Sequence, residues 1–348
     1  MTKVRVLVVD DSITVRRYMV EVLSADPDLL VVGEAEDGKH AIDLCEQLRP
    51  DVVTLDMVLP VLSGQAATEH IMAYCPTPIL IVSASTNRGE LFQTYAALAA
   101  GAVDVLDKPS DQDRDWERRL VASVKLLARI KVITHPRARL GRFGQPALPS
   151  RMVPVRHKPP QAIAIGVSTG GPGALVEILH GLPPNFPIPI LIVIHLGAQF
   201  ASAFAEWLGS HSPIPVSYAI HGSPLPRRGQ VLVATPDRHL MLSHGELQLT
   251  DGAPRHSCRP SVDVLFESLA LELGAGCVAC LLTGMGKDGA AGLLAVRHAG
   301  GTTLAQDEAT SVVFGMPREA IQLGAAQRVL PLGQFAGALV AITQRRTE

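Results

Sequence analysis

Two groups of residues in this chain have the types and spacing for chemistry. Asp10, Asp11, Asp56, Ser83 and Lys108 precede a basic, proline-rich stretch, and Ser168, His195 and Asp288 follow it. Clustered carboxylates repel one another unless a cation sits among them. Mg²⁺, a hard ion that takes oxygen ligands and retains waters, is the natural occupant beside Asp10, Asp11 and Asp56. A carboxylate there could attack a phosphoryl group whose oxygens are held by Mg²⁺, Lys108 and the Ser83 hydroxyl. The peptide before Pro109 is a candidate for cis geometry. A serine, a histidine and an aspartate have instead the composition of a nucleophilic hydrolase. Together the two groups point to a hydrolase gated by phosphorylation.

Bulk properties bound what can hold these groups in place. At 348 residues the chain exceeds the size at which one core stops growing, so two domains are expected. Hydrophobic residues make up 47% of it and aromatics only 4%, so the cores must be mostly Val, Leu, Ile and Ala. A formal net charge of −2 argues against a nucleic-acid partner. No apolar run reaches the roughly 18 residues of a membrane span, and Lys3, Arg5, Asp10 and Asp11 break up any signal peptide. A cytoplasmic protein without direct membrane insertion, acting as a monomer, is expected. Five cysteines form no disulfide framework, and Cys277 and Cys280 in CVACLL read as part of a buried strand rather than a metal or redox site.

Charge divides the chain into three parts. Residues 1–130 carry 13 basic and 20 acidic side chains, residues 131–160 carry 7 basic and none acidic, and residues 161–348 carry 11 and 13. The middle part also holds six prolines, with Gly141 and Gly144. It reads as a linker, either a solvated tether or a docking segment for an acidic partner.

On both sides of it, short apolar runs alternate with helical patterns. In the first part VRVLVV, LLVV, VVTL, PILIV and AVDVL are separated by amphipathic stretches such as Val15 to Leu23, Ala41 to Leu48 and Leu91 to Ala100. Such alternation predicts a parallel, doubly wound α/β sheet, in which polar ligands collect beyond the carboxyl ends of the strands. Asp10 and Asp11 end the first run, Asp56 the third and Ser83 the fourth, and Lys108 follows the fifth. This part, in VVDDS, TLDM, VSAS and DKP, resembles a two-component receiver domain of flavodoxin-like fold. The resemblance implies Asp56 as the phosphorylated residue, Asp10 and Asp11 as Mg²⁺ ligands, and a histidine kinase as phosphodonor. Leu59-Pro60 and Ser63-Gly64 depart from the Met-Pro and Asp-Gly usual after the acceptor. Val105 stands where many receivers place an aromatic ring that turns inward on phosphorylation.

The third part opens with QAIAIGVSTGGPGALVEIL, a strand running through a glycine-rich turn into a helix. Gly166-Val167-Ser168-Thr169-Gly170 matches GxSxG, which exposes a serine beside helix N-terminal N–H groups. The same segment could equally cap a helix; a phosphate cradle is a further alternative, though it lacks the Gly-Lys-Ser/Thr ending of a P-loop and no acidic residue ends the next strand. His195 follows the run IPILIVI, and Asp288 lies in LLTGMGKDGAAG after VACLL, so three strand ends carry Ser, His and Asp. That chain order is not the order of α/β-hydrolases, so a Rossmann-like α/β domain is expected instead.

GVSTGGP, the strand-end histidine, CRPSVDVLF and LTGMGKDG together resemble the catalytic domain of the chemotaxis response-regulator methylesterases. By that resemblance Ser168, His195 and Asp288 are catalytic, and the substrates are methyl-esterified glutamates and certain glutamines of methyl-accepting chemoreceptors. No cofactor is implied for hydrolysis, and the receiver is implied to restrain it until phosphorylated. Backbone N–H groups at Thr169, Gly170 or Met285 are the oxyanion candidates. Leu196, Gly197 and Ala198 replace the Met and prolines usual after the histidine. Arg255 and Arg259 either recognise an acidic receptor helix or form structural salt bridges. The competing reading is a phosphorylation-dependent binding protein whose second domain has lost turnover.

Overall fold

The computed structural model describes residues 3–84, 87–109, 115–130, 132 and 159–344. The chain divides into two compact units, Met1–Arg142 and Phe143–Glu348. The basic segment expected to link them, 131–160, lies almost wholly outside the described residues.

The first unit contains β1 (Val4–Val9), α1 (Ile13–Ala25), β2 (Leu29–Ala35), α2 (Gly38–Leu48), β3 (Val52–Leu55), α3 (Gly64–Tyr74), β4 (Ile79–Ser83), α4 (Arg88–Ala100), β5 (Asp104–Asp107) and α5 (Trp116–Leu127). The strands pair in the order β2-β1-β3-β4-β5, all parallel. Because both sheet faces are covered, β3 and β4 are buried at every position and read as continuous apolar runs rather than alternating ones. α1 packs with α5, and α2, α3 and α4 pack in series. Side-chain caps from Ser12, Asp37, Ser63 and Asn87 start the first four helices.

The second unit contains β6 (Ala162–Val167), α6 (Gly171–His180), β7 (Ile190–Ile194), α7 (Ala198–Ala201), α8 (Phe204–Ser210), β8 (Val216–Tyr218), β9 (Val231–Val233), β10 (His239–Ser243), β11 (Glu246–Thr250), α9 (Val262–Leu273), β12 (Cys277–Leu281), α10 (Ala290–His298), β13 (Thr302–Gln306), α11 (Met316–Gln322), β14 (Arg328–Leu330) and α12 (Phe335–Gln344). Seven strands form a parallel sheet in the order β14-β13-β12-β6-β7-β9-β8. Cys277 and Cys280 are both buried on β12, as the strand reading of CVACLL expected.

One element was not anticipated. β10 and β11 form a separate antiparallel hairpin, and Leu240, Leu242, Leu247 and Leu249 pack into the same core as Leu265, Phe266 and Leu269 of α9. The hairpin clamps α9 from outside the sheet, with Leu242 N–H donating to Ser268 Oγ at 3.0 Å. A second correction concerns proline: among the described residues the cis peptide is Arg259–Pro260, not the bond before Pro109.

Backbone strain marks the loop after Asp56. Leu62 N–H donates to Pro60 O at 2.6 Å, closing a three-residue turn around Val61, whose φ is 64°. A β-branched residue there pays a steric penalty of about 1–2 kcal/mol, and Asn tolerates the region better. Val61 is 80% exposed, so its side chain contributes little packing in return. Val61→Asn should therefore stabilise the first unit by about 1 kcal/mol, raising its calorimetric transition by about 4 °C. A lowered or unchanged transition would show that the turn is not strained.

Candidate functional site

In the second unit the site is set by strand register. β6 and β7 pair with Val167 opposite Ile194, so the next residues, Ser168 and His195, leave neighbouring strands side by side, about 4.8 Å apart. His195 N–H donates to Val167 O at 3.2 Å, and Ser168 N–H donates to Thr283 O at 3.0 Å beyond the end of β12. Ser168 thus stands where the chain turns from one half of the sheet to the other, the crevice in which α/β sheets bind ligands.

Asp288 enters this crevice from the loop after β12 and meets the N-terminus of α9. Its Oδ1 accepts from Ser261 Oγ at 2.7 Å and from Asp263 N–H at 3.1 Å. Its Oδ2 accepts from Val262 N–H at 2.7 Å and lies 2.9 Å from His195 Nε2. Burial disfavours the carboxylate, but His195, Ser261 and Val262 hold it below its ordinary value, and the helix dipole acts in the same direction. Burial likewise disfavours protonated His195, yet Asp288 and Cys258 outweigh it and raise His195 to about 9.

With Nε2 committed to Asp288, Nδ1 is the ring nitrogen left for proton transfer. Cys258 Sγ lies 3.7 Å from it, and no hydrogen bond joins it to Ser168 Oγ. Hydrogen bonds between a nucleophile and its base are often long before substrate binds, and the side-by-side placement of Ser168 and His195 is compatible with such a pair. The loop Gly284 to Gly286 passes close by: a Cβ on Gly284 would stand 2.7 Å from Ser168 Cβ and 2.4 Å from Met316 Sδ, so only glycine fits. The backbone N–H groups of Thr169, Gly170 and Met285 find no acceptor among the described residues, leaving them available to an oxyanion.

Three features of this site were not read from the sequence. Ser261, seen only as a helix start, also donates to Asp288, and its own N–H donates to His239 Nδ1 at 3.1 Å. Cys258 meets His195 because a tight turn folds it back. An apolar hollow lined by Ile194, Leu196, Phe204, Tyr218 and Pro260 flanks His195, so Leu196 contributes to it. Arg255 and Arg259 resolve as salt bridges, Arg255 with Glu267 and Asp263, and Arg259 with Asp237.

In the first unit, Lys108 Nζ lies 2.7 Å from Asp56 Oδ2 and 2.9 Å from Asp10 Oδ2. Ser83 ends β4, and its carbonyl accepts from Lys108 N–H at 3.2 Å. Burial pushes the Asp56 carboxyl up and Lys108 opposes it. Burial lowers Lys108, and the two carboxylates overcome that and raise it. Asp10 Oδ2 is buried and in ion-pair contact with Lys108, but receives no aligned hydrogen bond. Donor oxygens of Asp10, Asp11 and Asp56 lie within 4.8 Å of one another, Asp11 being exposed. Three hard oxygens, one of them under-satisfied, fit a small divalent cation. A Cβ on Gly64 would fall 2.1 Å from Asp56 O, which explains why glycine is kept in Ser63-Gly64. Val105 packs against the core in place of an aromatic ring.

Both parts of the chain are similar to known proteins. The CheB methylesterase family model matches residues 163–339, and the response regulator receiver domain model matches residues 6–118. A protein-glutamate methylesterase/protein-glutamine glutaminase of Anaeromyxobacter dehalogenans is 45% identical over 98% of this chain and 97% of its own. One from Nitrosospira multiformis is 44% identical over 99% and 98%. The crystal structure of the Thermotoga maritima CheB methylesterase catalytic domain covers 53% of this chain and 98% of its own, at 37% identity and a TM-score of 0.50.

The electrostatics of the pair can be measured without any substrate. An NMR titration should place the His195 midpoint near 9, well above the ordinary histidine value. Asp288→Asn removes the facing charge, and the midpoint should fall toward roughly 6.5. A wild-type midpoint at or below that value would mean that burial outweighs the carboxylate.

Proposed function

This chain belongs to the CheB methylesterase family and carries a response regulator receiver domain ahead of the hydrolytic one, and from that membership we propose how its own residues divide the work. The chain is a protein-glutamate methylesterase and protein-glutamine glutaminase. The observation that carries the assignment of residues is the buried His195–Asp288 pair at 2.9 Å, standing beside the serine that ends the next strand.

Ser168 Oγ attacks the side-chain carbonyl of a glutamate methyl ester as His195 Nδ1 takes its proton. Asp288 orients the ring through Nε2 and stabilises the imidazolium. N–H groups at Thr169, Gly170 or Met285 receive the oxyanion. Protonated His195 returns its proton to the departing methanol, or to ammonia when the substrate is glutamine. Water, deprotonated by the same nitrogen, then releases the glutamate. The substrates are receptor side chains, and the non-catalytic reading of the second domain is set aside.

In the receiver, Asp56 is the phosphoacceptor, Ser83 and Lys108 engage the phosphoryl oxygens, and a histidine kinase is the donor class. Asp10, Asp11 and Asp56 would hold Mg²⁺, which supplies charge neutralisation for phosphoryl transfer. No described helix is long and apolar enough to cross a membrane, and the five cysteines are unpaired. Unpaired thiols suit a reducing compartment, which supports work in the cytoplasm on the accessible part of a receptor.

Two measurements test the assignments. Ser168→Ala should lower methanol release from methylated receptor by on the order of 10⁴-fold, and adding His195→Ala should lower it little further, because the residues act as one unit. Near-wild-type release by Ser168→Ala would sink the nucleophile assignment. Treatment with acetyl phosphate and Mg²⁺ should add one phosphoryl mass to the wild type and none to Asp56→Asn, and chelating the metal should abolish the gain in the wild type. An undiminished gain in Asp56→Asn would move the acceptor elsewhere.

A further inference from the structure

The one ring nitrogen that the mechanism needs free faces a thiol that the mechanism does not use. Cys258 Sγ lies 3.7 Å from His195 Nδ1, and the thiol is half-buried, with a side open to solvent. Its placement is built rather than incidental. Arg255 and Cys258 exchange backbone hydrogen bonds at 3.1 and 2.8 Å across a turn whose central residues, His256 and Ser257, both have positive φ, 52° and 63°. Non-glycine residues rarely adopt two such conformations in succession. Arg255 anchors the turn by a two-pronged ion pair with Glu267 and a contact to Asp263.

The separation of sulfur and imidazole nitrogen matches the spacing of two donors along one edge of a tetrahedral metal site. Zn–S of about 2.3 Å and Zn–N of about 2.05 Å at a tetrahedral angle place the two donors roughly 3.6 Å apart. Asp288 on the other ring nitrogen supplies the carboxylate that typically fixes a metal-binding histidine. His195, Cys258 and Asp288 bring their donor atoms within 4.8 Å of one another. The neighbouring imidazole is engaged elsewhere, His256 Nε2 lying 3.2 Å from Asp263 Oδ2. Both Asp288 oxygens already accept hydrogen bonds. The site therefore offers two protein ligands and leaves the remaining positions to water.

We propose that Cys258 Sγ and His195 Nδ1 bind a soft divalent cation, Zn²⁺ above all, and that the bound ion stops hydrolysis by taking the lone pair that Ser168 requires. The binding half of this stands on geometry alone, and the inhibitory half rests on the mechanism above. On binding, the Cys258 thiol and the protonated His195 ring, at Nδ1, each release a proton to the medium as the metal–sulfur and metal–nitrogen bonds form, and neither partner changes oxidation state. The selectivity follows from donor softness: thiolate and imidazole suit zinc, and Mg²⁺, which prefers oxygen, leaves the site alone.

Cobalt chloride serves as the spectroscopic probe and zinc chloride as the inhibitor, both added to the full-length protein in excess Mg²⁺. The wild type should take up one equivalent of Co²⁺ with a thiolate-to-cobalt charge-transfer band, and Zn²⁺ should displace it. Cys258→Ser should lose the band, whereas Cys45→Ser, which removes a buried thiol elsewhere, should keep it. The zinc concentration that halves methanol release, measured against each variant's own zinc-free rate, should rise more than about tenfold in Cys258→Ser, since even outer-shell changes cost that much affinity. His195→Gln gives a second variant, read by the band alone. A band that survives Cys258→Ser, or a wild type that forms none, overturns the metal site. A Cys258-dependent band in a protein that releases no methanol even without zinc would leave the site standing and overturn the esterase mechanism.

Discussion

The hydrolytic unit depends on keeping one buried carboxylate ionised. Asp288 is nearly inaccessible to water, and an unpaired charge there would cost several kcal/mol. Its four contacts offset that cost: a hydroxyl, two N–H groups at the start of α9, and an imidazole. α9 must therefore point its positive end at the loop after β12. That requirement accounts for the β10–β11 hairpin, whose leucines hold the outer face of α9 and fix the helix against the sheet. Stability and chemistry meet in the same residues, since the core that seats α9 also aims the carboxylate at His195.

The receiver solves the same electrostatic problem in the opposite way. Asp56 and Asp10 share a single ammonium, Lys108, and each accepts one backbone N–H, Asp10 from Ser12 at the cap of α1 and Asp56 from Met57. The cluster is left short of positive charge and with an under-satisfied oxygen on Asp10. Asp288 is saturated with donors, whereas Asp10 keeps one buried oxygen without an aligned hydrogen bond, the arrangement that suits the cation and phosphoryl roles proposed above. Both arrangements sit at the carboxyl edge of a parallel sheet, where neighbouring strands release side chains side by side without disturbing the ladder.

Much of this was legible in the sequence because parallel sheets make it so. Continuous apolar runs give the strands, and the residue after each run is the one delivered to the edge, so Asp10, Asp56, Ser83, Ser168 and His195 could be located by counting. What could not be read depends on contacts across the fold. Ser261 looks like any helix cap, and only the packing of α9 against the β12 loop turns its hydroxyl into a donor to Asp288. Cys258 looks like a stray thiol until the two left-handed residues before it fold it toward His195. Arg255 and Arg259 could serve a substrate or a scaffold on sequence grounds, and only the fold shows their acidic partners, Glu267, Asp263 and Asp237. The hairpin was missed because its alternating leucines lie beside polar loop residues that carry no signal of what they cover.

The His195–Asp288 pair also sets stability against activity. A histidine whose folded value is raised stabilises the fold below about 6.5, and that contribution is lost as pH rises through about 9. Asp288, held below its ordinary value, contributes above the usual carboxylate range and loses that contribution as pH falls through its depressed value. The pair is strongest, then, between roughly pH 4 and 6.5, where the imidazole is protonated and cannot act as a base. With a folded value near 9 the imidazole is protonated near neutral pH, and the mechanism proposed above needs the neutral ring. The bond that positions the ring also holds it protonated, and Cys258 Sγ, 3.7 Å from Nδ1, adds to the same field.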